Sequence, residues 1–118
     1  MSEVTLDILR TKSRTCYCGE VRPNQIGNRV VLKGWIHRRR DHGGLIFIDL
    51  RDREGICQVV LNPEEMDKET FEQAGRLRDE WVLAIEGLVR ERPEGMINPN
   101  IPTGKIEVAA PSAAARLG

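Results

Sequence analysis

The stretch Gly34–Gln58, GWIHRRRDHGGLIFIDLRDREGICQ, decides the fold of this chain. Its first half reads as the end of a strand over Arg29–Arg39, in which Val30, Leu32, Gly34 and Ile36 alternate with Val31, Lys33, Trp35 and His37. Asp41–Gly44 then supplies turn chemistry, with two glycines free to take positive φ. In the second strand, Leu45–Leu50, Ile46, Ile48 and Leu50 share one face and Leu45, Phe47 and Asp49 the other. Arg51–Gly55 is a charged hairpin turn. Ile56–Asn62 is the third strand, with Cys57, Val59 and Leu61 on one face and Ile56, Gln58 and Val60 on the other.

Outward from this hairpin pair, Asn62-Pro63 is expected to open a helix reaching about Glu80. Glu64 and Glu65 favour its positive end, and Met66, Phe71, Ala74 and Leu77 form its inner stripe. Trp81–Arg90 reads as a fourth strand, Pro93–Gly104 as a loop and Lys105–Ala109 as a fifth strand. Three strands, one helix and two strands is the order of an all-β, five-stranded OB-fold, a Greek-key barrel with its helix between strands 3 and 4. The domain is expected over residues 14–109. Residues 1–13 read as a flexible extension, and the Ala-rich residues 110–118 as a disordered tail or truncation scar without a strand.

Composition bounds the function. The 118 residues make one domain, too small for most multi-substrate enzymes. With 18 basic and 18 acidic side chains the net charge is zero, so any nucleic-acid surface must come from segregated charge, and Arg38, Arg39 and Arg40 show it. With two Trp, two Phe and one Tyr, base stacking has to rest on one or two rings. Cys16 and Cys18 form C-x-C without the matching second pair of a structural zinc site, so no metal is expected. No phosphate-cradling or dinucleotide glycine motif occurs; Asp49 and Asp52 flank a charged turn and are expected to bond to nearby arginines rather than act as a carboxylate pair, and His37 and His42 lack a nearby nucleophile. No apolar block suggests a membrane span or a signal peptide, and three cysteines fit a reducing, cytoplasmic setting.

The outer face carries the chemistry. If Ile46, Ile48 and Leu50 fill the barrel, Phe47 points outwards, where it stacks a base or caps a small second cluster. Gln58 has the same parity, and its carboxamide both donates and accepts, which suits a Watson–Crick edge; a solvated strand glutamine is the plainer reading. Arg38 and Arg40 share one parity and Arg39 the other, so two planar guanidiniums can face phosphate or base edges together.

The strings YCGE (Tyr17–Glu20), GWIHRRRDHGGLIFIDLRDREG (Gly34–Gly55), QVV (Gln58–Val60), GLVRERPEG (Gly87–Gly95), NPN (Asn98–Asn100) and GKIEV (Gly104–Val108) resemble the start of bacterial-type aspartyl-tRNA synthetases. The resemblance covers roughly Arg14–Val108 and implies an OB-fold anticodon-binding domain. It implies that Phe47 stacks on the middle anticodon base, Gln58 hydrogen-bonds that base, Arg38 and Arg40 hold the loop, and Glu107 recognises the first base. A carboxylate can accept from the amino and imino groups of guanine.

The resemblance also implies that His42 and Gly95 accompany relaxed reading of the third base, the non-discriminating type that charges both aspartate and asparagine tRNAs. The implied parent is a homodimeric class II ligase using ATP and Mg2+. After Val108 the expected catalytic domain gives way to AAPSAAARLG, so this chain by itself is expected to be a monomeric tRNA-binding module without cofactor or catalytic residues. A generic single-strand binder of the same fold, the anticodon domain of an asparagine or lysine synthetase, and a structural domain without RNA affinity are the alternatives.

Overall fold

A computed structural model describes residues 14–116. The expected extension over residues 1–13 lies outside them. Five strands, β1 (Arg29–His42), β2 (Leu45–Asp52), β3 (Gly55–Leu61), β4 (Val82–Glu91) and β5 (Ile106–Arg116), close a barrel in the order β1-β2-β3-β5-β4. All neighbours are antiparallel except β3 and β5. β1 is long enough to serve two partners: Arg29–Trp35 pairs with β4, and Trp35–His42 with β2. A register shift between Ile36 and Arg38 marks the bend where it passes from one to the other.

The alternation read from the sequence becomes the wall of the barrel. Leu32, Ile36, Ile48, Leu50, Val59, Leu61, Leu83, Ile85, Ile106 and Val108 are buried together inside. Gly43 and Gly44 have φ of 60° and 82° between the paired residues His42 and Leu45, the two positive values that a tight type I′ hairpin needs. At the barrel's lower edge a 3-10 turn, Cys18–Glu20, is pinned to the β2–β3 turn. The buried Asp52 carboxylate accepts from the Cys18 amide at 2.7 Å and from the Glu54 amide at 2.9 Å.

Two expectations are corrected. The helix α1 covers only Lys68–Ala74. Asn62 accepts the Glu64 amide on its side chain and the Glu65 amide on its carbonyl, spending the Asn62-Pro63 start on a turn. Asp67 then caps the helix by accepting the Thr70 amide at 3.1 Å, and Gly75 closes it. Met66 and Leu77 still enter the core from the flanking turns.

The Ala-rich tail is the second correction. Its backbone from Ser112 to Arg116 continues β5 and pairs with Glu86 back to Val82. The long β4 presents hydrogen-bonding groups on the edge away from β1, and a neighbouring backbone satisfies them whatever its side chains. No alternation announces such a strand, because alanines carry little pattern.

Candidate nucleic-acid interface

Register places the predicted residues on the outer face of β1, β2 and β3 in cross-strand rows. Arg40 stands opposite Phe47, which stands opposite Val60; Arg38 stands opposite Asp49, which stands opposite Gln58. Arg39 falls on the other face. Its guanidinium donates to the carbonyls of Ala74, Gly75 and Leu77 at 3.3, 2.9 and 2.8 Å, and forks onto Asp41 at 2.8 and 2.9 Å. It therefore terminates α1 and is occupied within the protein. The same contact holds the exposed Asp41 carboxyl below the usual carboxylate range.

Phe47 has the outward parity that the alternation required, since it lies outside the apolar core cluster. Its exposure is nevertheless only 8%. Arg40 and Val60 flank it directly, and opposed side chains on one sheet face lie about 5 Å apart, close enough to cover most of a ring.

Gln58 and Glu107 are brought together from strands widely separated in the sequence. The Gln58 Nε2 donates to Glu107 Oε1 at 3.0 Å, and Arg90 Nε donates to Glu107 Oε2 at 2.8 Å. The Gln58 Oε1 accepts from Arg92 at 3.3 Å and, at a long 3.5 Å, from Arg40. Glu107 and Gln58 are 2% and 1% exposed, so these partners are what makes their burial tolerable. Burial also lowers the Arg92 pKa, against the opposing pull of the Glu107 and Asp49 carboxylates.

Arg90 and Arg92 are the residues that sequence reasoning missed. Both lie in the quoted string GLVRERPEG, at the strand end facing Glu107. Their alternate spacing was the available signal, but nothing local says that the facing strand carries a carboxylate. Four guanidiniums, those of Arg38, Arg40, Arg90 and Arg92, now stand among three carboxylates: Asp49 opposite Arg38, Glu107, and Glu65, which lies 3.6 Å from Arg90. A neutral chain thus acquires a locally cationic face.

Arg92 also ties in the loop. It donates to the carbonyls of Ile106 at 2.8 Å and Met96 at 3.3 Å. Gly95, with φ of 87°, forms the turn in which the Met96 amide reaches the Pro93 carbonyl, a conformation that favours glycine. His42 is exposed at the tip of the β1–β2 hairpin, two residues from Arg40 on the same face. Among the described residues no group of three His, Cys, Asp or Glu side chains is arranged to hold a metal ion, and no helix is long and apolar enough to cross a membrane.

A closed five-stranded barrel with one helix and a polar, arginine-rich outer face defines an OB-fold nucleic-acid-binding domain. The chain belongs to that family: residues 30–114 match the tRNA anticodon type of OB-fold nucleic acid binding domain.

The relatives narrow the type to the anticodon-binding domain of aspartyl-tRNA synthetase homologues. The chain is 61% identical over 97 residues to the aspartate–tRNA(Asp/Asn) ligase of Geobacillus sp. (strain WCH70), covering 82% of this chain and 16% of that protein. It is 52% identical over 107 residues to the enzyme of the same name from Moorella thermoacetica, covering 91% and 18%. The chain thus spans less than a fifth of the length of these curated relatives.

Among solved structures, asparaginyl-tRNA synthetase from Pyrococcus horikoshii superposes with a TM-score of 0.75 at 32% identity, over 87% of this chain and 23% of that one. The aspartyl-tRNA synthetase from Entamoeba histolytica superposes with a TM-score of 0.79 over 93% of this chain and 23% of that one. At 20% identity it supports the fold alone.

Proposed function

We propose that this domain reads the anticodon loop of aspartate tRNA, and of asparagine tRNA as well, for a longer aspartate–tRNA ligase. The observation that carries the reading is the alignment of Phe47, Gln58 and Glu107 on one outer face, with Gln58 bonded to Glu107. Phe47 stacks the middle base. Gln58 keeps one amide hydrogen beyond the one given to Glu107 and offers it to that base's edge. Glu107 accepts from the amino and imino groups of a first-position guanine, held in aim by Arg90. Arg38 and Arg40 grip the loop's phosphates.

His42 at the hairpin tip and Gly95 in the Pro93–Met96 turn set the reading of the third base, and support the type that accepts both tRNAs. The longer protein is a cytoplasmic homodimer that aspartylates tRNA with ATP and Mg2+. None of that chemistry is assigned to residues of this chain, which acts by itself as a monomeric binding module.

Binding to aspartate, asparagine and unrelated anticodon stem-loops at one salt concentration tests the reading. Similar affinity for the first two and weaker binding of the third is expected. Equal binding of all three would reduce the domain to a generic single-strand binder.

A further inference from the structure

The outer face does not stop at the residues assigned above. One row further along β2, Trp35 stands opposite Arg51, and Arg51 opposite Ile56. The barrel beneath is already closed by Ile36, Leu50 and Cys57, so the core does not need the Trp35 indole. Trp35 is 37% exposed and Arg51 is also exposed. Neither side chain has a hydrogen-bond or ion-pair partner among the described residues.

An exposed indole and an uncommitted guanidinium side by side on a sheet can stack a base and fork its phosphate. Successive rows on one face are about 6.6 Å apart, which puts this pair about 13 Å from the Phe47 row and about 6.6 Å from the Gln58 row.

We propose that Trp35 and Arg51 form a further nucleotide subsite, stacking a loop base that flanks the anticodon triplet. The proposal rests on the reading of this face as the anticodon-loop surface. Trp35 supplies the ring, Arg51 holds the phosphate of the same nucleotide, and Ile56 floors the row. The subsite adds affinity without reading sequence, because every base offers a π face and every nucleotide a phosphate.

The test pairs Trp35→Ala, Trp35→Phe and Arg51→Gln with aspartate anticodon stem-loops that carry one abasic residue at each flanking position in turn. Trp35→Ala is expected to weaken binding of the intact loop on the order of 10-fold. One particular abasic loop should bind the wild-type chain as weakly, and that loop with Trp35→Ala should lose nothing further. Trp35→Phe should recover much of the affinity, and Arg51→Gln should lose several-fold. Phe47→Leu in parallel separates the two readings: its loss with Trp35→Ala silent overturns the subsite alone, whereas equal binding of aspartate and unrelated stem-loops by the wild-type chain overturns the anticodon reading on which the subsite rests. Intact-loop affinity unchanged by Trp35→Ala would leave the indole to a protein contact. Additive losses at every abasic position, with a lowered unfolding midpoint, would make Trp35 a fold residue.

Discussion

Gln58 Nε2 and Glu107 Oε1 lie 3.0 Å apart across the parallel β3–β5 junction, and both side chains are almost wholly buried. Each therefore fixes the other's rotamer, and Arg90 and Arg92 fix the pair. In the proposed site the middle-base and first-base readers are one unit. Gln58→Ala and Glu107→Ala are expected to be non-additive in stem-loop binding, with a coupling of about 1 kcal/mol. A double-mutant cycle checks it, and independent losses would separate the two readers.

Phe47 contributes both to the fold and to the proposed stacking, because the ring is mostly covered before any RNA arrives. Phe47→Ala should lower stability by about 2 kcal/mol in denaturant titration, less than a barrel-interior phenylalanine, and should weaken binding as well. Phe47→Leu refills most of the volume. It should recover the stability while binding stays weak, and equal recovery of both would remove the ring from the base site.

Arg39 belongs to the architecture although it sits inside the arginine triplet. Arg39→Ala removes the donor to three carbonyls at the end of α1 and should destabilise the domain by about 2 kcal/mol. Arg40→Ala should instead weaken RNA binding and flatten its salt dependence, with the unfolding midpoint little changed. Exchange of those two phenotypes would reverse the assignment.

His42 at the hairpin tip is exposed and lies outside the apolar core cluster, so His42→Leu should fold normally. The expected change is a larger ratio between aspartate and asparagine stem-loop affinities. An unaltered ratio in a paired titration would take His42 out of third-base reading.

The thiols report on the barrel itself. Burial pushes the Cys57 thiol up to about 12 and raises Cys18 well above the ordinary thiol range, with Asp52 adding to the latter. Because thiolate is the reactive form, Cys16 should react with a disulfide reagent in the native state, and Cys18 and Cys57 only after unfolding. Three fast equivalents at neutral pH would mean that the core opens readily.

The local pattern by itself determined the barrel wall and the turns. Alternation assigned Ile46, Ile48 and Leu50 inward and Phe47 outward, and Gly43-Gly44 announced its hairpin, because strand parity and positive φ are properties of neighbours in the chain. The Asn62-Pro63 pair reads as a helix start, and only the folded chain shows it spent on a turn, with the helix beginning after Asp67 instead. Tertiary structure decided the rest. The partnership of Gln58 with Glu107, the roles of Arg90 and Arg92, the docking of Arg39 on the carbonyls at the end of α1, the covering of Phe47 and the strand formed by Ser112–Arg116 all depend on which backbone lies alongside. Pairing between strands far apart in sequence leaves no periodic trace within either one, so those contacts exist only once the barrel is closed.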